Sequence, residues 1–148
     1  MLIGPPGCGK STFATQWPAS WRVSLDTYRL LATDTEYDQS ATVAVQIQDL
    51  ILDARLSRAL TTIVDATNLH THVRAGLLAR ARYWQRPTTA VLFNTPLATV
   101  EEQNAARDHD RMVPQHVVRQ LHKLLPTTQL RDEGFTTVHL ASDTATAR

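Results

Sequence analysis

Cys8 is the chain's only cysteine. No internal disulfide can form, which fits a reducing compartment, the cytoplasm. No apolar run approaches the length of a bilayer span. No basic-then-apolar leader precedes the first motif, so neither a membrane partner nor a signal peptide is expected. The six histidines are scattered, and none joins a cysteine at zinc-ligand spacing. Strong charge of one sign is missing too: 15 Lys and Arg against 14 Asp and Glu leave a net charge of +1. A nucleic-acid substrate would therefore need a local basic patch rather than bulk charge. There is no internal repeat and no low-complexity tract. What remains is ordinary for one globular domain: 148 residues, of which 43% are hydrophobic, are enough for a proper core.

The chain opens MLIGPPGCGKST. Gly4, Gly9, Lys10 and Ser11 fit the spacing G-x-x-x-x-G-K-S/T, with a short apolar strand before and a helix start after. Glycines let such a loop curl, so that successive backbone N–H groups face phosphate oxygens. The following helix points its positive end at the same anion. The ATP-binding set is then Gly4, Gly7, Cys8, Gly9, Lys10, Ser11 and Thr12. Lys10 reaches the β- and γ-phosphates and Ser11 ligates Mg²⁺. Cys8 fills a free position of the loop, with no chemistry of its own. Only three residues precede Gly4, so the first strand is either very short or begins upstream.

Apolar, β-branched runs recur at 22–25, 62–65, 89–93 and 136–140 and read as strands. Helical patterns lie between them. Ser40 is a candidate cap for a helix with Val43, Ile47, Leu50, Ile51 and Ala54 on one face. Thr71 is another, with Val73, Leu77, Leu78 and Trp84 inward. A third helix runs from about 97 to 107, and a fourth follows Pro114. This alternation predicts a doubly wound α/β domain with a parallel sheet over residues 1–141. A lid is expected at about 105–114 and a frayed tail over 142–148.

Ligands on such sheets sit beyond the carboxyl ends of the strands. There Asp26 can orient a hydroxyl and accept its proton, and Arg29 can grip a phosphate of the acceptor. The plainer alternative is a helix cap with a surface ion pair. Asp65 can hold the water shell of Mg²⁺, and Thr67-Asn68 can touch the acceptor; a capping turn is the alternative there. Arg107 and Arg111, four apart, share a face if their segment is helical, and can neutralise charge on a transferred phosphoryl group. A surface turn with ion pairs to Asp108 and Asp110 explains them equally well. The acidic loop of Asp34, Glu36 and Asp38 reads as a solvated face. Trp17, Trp21, Tyr28, Tyr83 and Trp84 are candidates for a stacking face.

GPPGCGKST, LDTYR, VDATN and RDHDRMVP, in this order, resemble the kinase domain of the polynucleotide kinase family, from Leu2 to about Leu140. The closest likeness is to the kinase module of bacterial polynucleotide kinase-phosphatases and their small relatives. The resemblance implies a P-loop kinase fold with a small helical lid, ATP and Mg²⁺ as cofactors, and a nucleic acid, DNA or RNA, as substrate. It implies that Asp26 is the general base for a 5′-hydroxyl and that Arg29 grips the acceptor's 3′-phosphate. Asp65 and Asn68 would lie near the acceptor, and Arg107 and Arg111 would be lid arginines. Many members form oligomers, so a homo-oligomer is an open expectation. Small relatives include kinases of a hydroxymethylated pyrimidine in phage DNA, which would use the same Asp26 chemistry. A small-molecule kinase, and an ATPase or switch without an acceptor, are the other readings.

Overall fold

The computed structural model describes residues 1–36, 38, 40, 42–126 and 130–144. Five strands are described: β1 Leu2–Ile3, β2 Arg22–Val23, β3 Ile63–Val64, β4 Thr89–Leu92 and β5 Thr137–Leu140. Every ladder is parallel. β1, β4 and β5 form one set in the order β1-β4-β5, and β2 pairs with β3. The two sets are stitched beside β1, where the Gly4 N–H donates to Thr67 O at 3.0 Å and the Asn68 carboxamide donates to Leu2 O at 2.7 Å. Asn68 makes that turn at φ 47°. This left-handed conformation is one that Asn tolerates better than most residues.

Eight α-helices are found among the described residues: α1 Lys10–Ala14, α2 Leu25–Thr33, α3 Thr42–Leu56, α4 Thr71–Tyr83, α5 Leu97–Ala105, α6 Gln115–His122, α7 Leu130–Glu133 and α8 Ala141–Thr144. Strand side chains alternate between faces, and the core shows it. Ile3, Ala90 and Leu92 pack with Leu69, Leu78, Leu130 and Phe135 on one face. Leu2 and Val91 pack with Phe93, Val100 and Val118 on the other. A sheet buried on both faces is the α/β P-loop architecture expected from the alternation of elements. Val23, Tyr28, Ala44, Leu52 and Val64 form a third cluster beneath α2 and α3. No helix among the described residues is long and apolar enough to cross a membrane.

Several boundaries and faces differ from expectation. β2 ends at Val23, and Leu25 already belongs to α2. On α3 the buried residues are Ala44, Gln48 and Leu52, whereas Val43 and Leu50 are exposed. The helix is apolar on more than one side, and the small Ala44 marks the side that α2 approaches. Ser40 spends its hydroxyl on Asp38. On α4 the inward residues are Arg74, Leu78 and Ala81, and Val73 is exposed. His70, not Thr71, is the residue before the helix. Trp84 caps its end half-buried, donating its indole N–H to Asp53 at 2.9 Å. Arg74 can be buried because its guanidinium is fully used. It makes a two-pronged pair with Glu133, and it also donates to the carbonyls of Asn68 and Leu69. Where a frayed tail was expected, residues 141–144 form the helical turn α8; residues 145–148 lie outside the described residues.

Candidate functional site

β1 delivers the chain into the loop Gly4–Gly9, and α1 begins at Lys10. Gly7 and Gly9 adopt φ values of 83° and 94°. Side-chain-bearing residues avoid this region, so the curl depends on glycine. At Gly9 the space a Cβ would fill is open, leaving the concave side of the loop free. Gly4 is needed for a different reason: a Cβ there would lie 2.7 Å from the Cys8 sulfur and 2.8 Å from the Phe93 Cβ.

The Lys10 ammonium folds back over the loop, donating to Gly4 O at 2.9 Å and Pro5 O at 2.7 Å, with the Cys8 Sγ at 3.5 Å. Burial lowers its pKa. The nearby Cys8 and Asp65 oppose that shift, and the Arg107 guanidinium adds to it. Burial also raises the pKa of the Cys8 thiol, although Lys10 pulls the other way. Cys8 is thus a protonated packing residue that touches the loop lysine, a contact its free position in the motif does not reveal.

Asp65 follows β3 directly, and its backbone N–H donates to Val23 O at 2.8 Å. Its carboxylate is almost wholly buried and receives the Ser11 hydroxyl at 3.3 Å. Two protein oxygens meeting beside a phosphate loop suit Mg²⁺, which takes its other ligands from phosphates and water. Ser11 and Asp65 are therefore the residues that would hold the ion. Among the described residues no larger cluster of His, Cys, Asp and Glu gathers to hold a metal.

Arg22, which the sequence did not single out, completes this corner. Its Nε and Nη2 both reach Asp65 Oδ2, at 2.7 and 2.6 Å. Strand β2 aims it there because Arg22 is in register with Ile63, two residues before the aspartate. Replacing Arg22 with alanine is expected to leave a buried carboxylate short of partners and to lower unfolding stability by about 2 kcal/mol. Urea unfolding followed by circular dichroism measures this; a loss below about 0.5 kcal/mol, the size of an ordinary surface change, would contradict it.

Asp26 lies in the first turn of α2, and Arg29, three residues on, holds its carboxylate at 2.9 Å. Asp26 is exposed on its open side, while Arg29 is mostly buried. Both sit just past β2, the neighbour of β3, so they share the carboxyl-end edge with Asp65. Asn68 is used differently. Its side-chain N–H groups go to the carbonyls of Leu2, Val64 and Ala66, and the residue is buried.

The expected lid falls between α5 and α6. Only a 3-10 turn, His109–Arg111, is helical there, so Arg107 and Arg111 do not share a helix face. Arg111 lies 3.4 Å from Glu36. The acidic loop is therefore not merely solvated, since Glu36 ties the lid to the end of α2. Of the aromatic candidates, Trp17 and Trp21 stack on each other, 6.1 Å apart and 13° from parallel. Tyr83 meets Trp84 edge-on, and Tyr28 is buried. They do not assemble into one surface.

None of the curated proteins matches the chain. A family model described as "AAA domain" matches residues 1–127. That span runs from the phosphate loop through the lid and α6. The family comprises P-loop nucleotide-binding domains and includes kinases. With the phosphate loop, strands β1–β4 and helices α1–α6 inside the matched span, the chain belongs to this AAA domain family, AAA_33.

Proposed function

We propose that this protein is a Mg²⁺-dependent kinase that transfers the γ-phosphoryl group of ATP to an alcohol, first among them the 5′-hydroxyl of a polynucleotide. One observation carries the reading. A solvent-facing carboxylate, Asp26, is held by Arg29 at 2.9 Å on the strand-end edge that also carries the phosphate loop. An ATPase needs a group that orients water. It does not need a cation beside that group to hold the rest of an acceptor.

In this reading the loop amides and Lys10 bind the triphosphate, and Arg107 meets its outer phosphates. Ser11 and Asp65 would hold Mg²⁺, which would supply charge neutralisation at the phosphate oxygens. Asp26 takes the proton of the acceptor hydroxyl as its oxygen forms a bond to the γ-phosphorus. The bond from that phosphorus to the β–γ bridging oxygen breaks, and ADP departs with the electron pair. No covalent enzyme intermediate is needed. Arg29 is free to swing from Asp26 to a phosphate of the acceptor, where its planar fork fits two oxygens.

A second reading is supported by the acidic residues that follow α2. Glu36 pairs with Arg111 there, and the Ser40 hydroxyl and N–H, with a smaller contribution from the Arg29 charge, lower the pKa of the Asp38 carboxyl. A long polyanion meets carboxylates there, which favours a small acceptor with one phosphate. Labelled ATP offered with a 5′-hydroxyl oligonucleotide, a hydroxymethyluracil DNA and a nucleoside 3′-monophosphate separates these cases. Label on the oligonucleotide 5′ end supports the first reading. Label only on the mononucleotide supports the second, and free phosphate alone means an ATPase.

Replacing Arg29 with alanine is expected to cut kcat/KM for an acceptor bearing a 3′-phosphate by about tenfold or more, the scale of a charged hydrogen bond. The loss for the same acceptor without that phosphate should be smaller. Steady-state kinetics with the paired acceptors test this, and equal losses would remove the acceptor role.

A further inference from the structure

Asn104, in the last turn of α5, holds both ends of the lid and also touches the phosphate loop. Its carboxamide is paired with the backbone of Val113 like a neighbouring peptide: Nδ2 donates to Val113 O at 2.7 Å, and Oδ1 accepts from the Val113 N–H at 3.1 Å. Its own backbone carbonyl accepts from the Arg107 N–H at 3.2 Å. The segment carrying Arg107 and Arg111 is therefore a loop whose entry and exit are fastened to one residue. That residue is only 5% exposed, so neither bond has water in competition.

The same residue forms part of the floor beneath the phosphate loop. A Cβ on Gly7 would lie 3.3 Å from Asn104 Cβ, 3.3 Å from its N and 3.1 Å from Val100 O. The curl of the loop thus rests on the end of α5, with no side chain between them. Val100 is fully buried, and Val113 packs against the same core cluster. The position of the loop and the position of the lid are consequently set from one point. Asparagine suits the task because its amide supplies one donor and one acceptor at the spacing of a peptide group. Aspartate lacks the donor, glutamine is a carbon too long, and leucine has neither.

We infer that Asn104 is a positioning residue that fixes the lid against the phosphate loop, so that Arg107 meets the outer phosphates of a bound nucleotide. The inference rests on the nucleotide-binding reading of the loop and does not depend on which acceptor is used. Arg107 is the group that acts, and Asn104 acts through it.

The test is a double-mutant cycle on the full chain with Asn104→Ala, Arg107→Ala and the pair. It is read by equilibrium binding of a fluorescent ATP analogue with Mg²⁺, and separately by phosphoryl transfer. Each single substitution is expected to weaken nucleotide binding by about tenfold or more, because a small misplacement of a positioned group is costly. The pair should fall within about twofold of Arg107→Ala alone, since Asn104 has nothing left to position. Unchanged binding in Asn104→Ala overturns the proposal, and so do single losses that simply multiply in the pair. Should Asn104→Ala fail to fold, Val113→Pro takes its place in the cycle. It removes the donor on the other side of the clamp and adds no charge. If the protein binds nucleotide and transfers phosphate to no hydroxyl, the kinase reading falls while the binding cycle still decides the role of Asn104.

Discussion

Replacing Lys10 with alanine is expected to cut phosphoryl transfer by about 10³-fold, at the upper end of what one preorganised charge-stabilising group supplies. The geometry makes the loss double. The ammonium is the positive charge closest to the loop's own carbonyls, bound to Gly4 O and Pro5 O. A triphosphate entering the loop offers it better partners, and its flexible stem lets it leave the carbonyls for the phosphates. Alanine removes both the charge on the phosphates and the crosslink that shapes the empty loop. Transfer from labelled ATP and the affinity for a fluorescent ATP analogue should therefore fall together. Near-normal turnover would contradict the assignment of the loop.

A pH dependence follows from the same residue. Burial lowers the Lys10 pKa below its ordinary value of 10.5. Bound phosphates favour the ammonium, so nucleotide binding takes up a proton wherever the free loop has begun to lose one. ATP affinity should then decline as pH rises into the range below 10.5, earlier than for an unperturbed lysine. Lys10→Ala should abolish that slope. A wild-type affinity that stays flat across the range would mean that the ammonium keeps its ordinary pKa.

The loop was legible because its chemistry is local. Gly7, Gly9, Lys10 and Ser11 act through backbone shape and sequence spacing, and both are written in adjacent letters. Asp26 and Arg29 were legible for a related reason: three residues on a helix bring two side chains together whatever the rest of the chain does. The parallel sheet could be read from the alternation of apolar runs and amphipathic stretches. What could not be read was tertiary in origin. Arg22 looks like any polar residue opening a strand, and only its register with Ile63 delivers it to Asp65. Arg74 looks like a surface arginine of α4, yet Glu133, 59 residues along the chain, and the carbonyls of the preceding turn draw it inside. Asn104 carries no sequence signal, because its partner is a backbone group nine residues away. Part of the α3 face departs from the pattern: Ile47 and Ile51 pack against the core as expected, while the equally apolar Val43 and Leu50 are exposed. Arg107 and Arg111 share a face only in a helix, and their segment holds a 3-10 turn instead.

Asp26→Asn should separate the chemical step from nucleotide binding more sharply than any other single change. Asparagine keeps the shape of the side chain and an oxygen for Arg29, whose Nη1 lies 2.9 Å from Asp26 Oδ1. It loses the ability to accept a proton. If Asp26 is the general base, kcat should fall by about 10²- to 10⁴-fold while the affinity for ATP stays near wild type. Asp26 has Arg29 as its ion-pair partner. A large rise in the ATP or Mg²⁺ requirement would instead make it a ligand of the nucleotide–metal complex. The acceptor supplies a second discriminator. Neutralising Asp26 frees Arg29 from its ion pair, so acceptor binding should hold or tighten even as turnover collapses. A residue that only capped α2 would do neither. Its loss would lower stability by about 1 kcal/mol and leave transfer by the folded protein close to normal. Kinetics and unfolding measured on the same Asp26→Asn preparation therefore tell a proton acceptor from a helix cap.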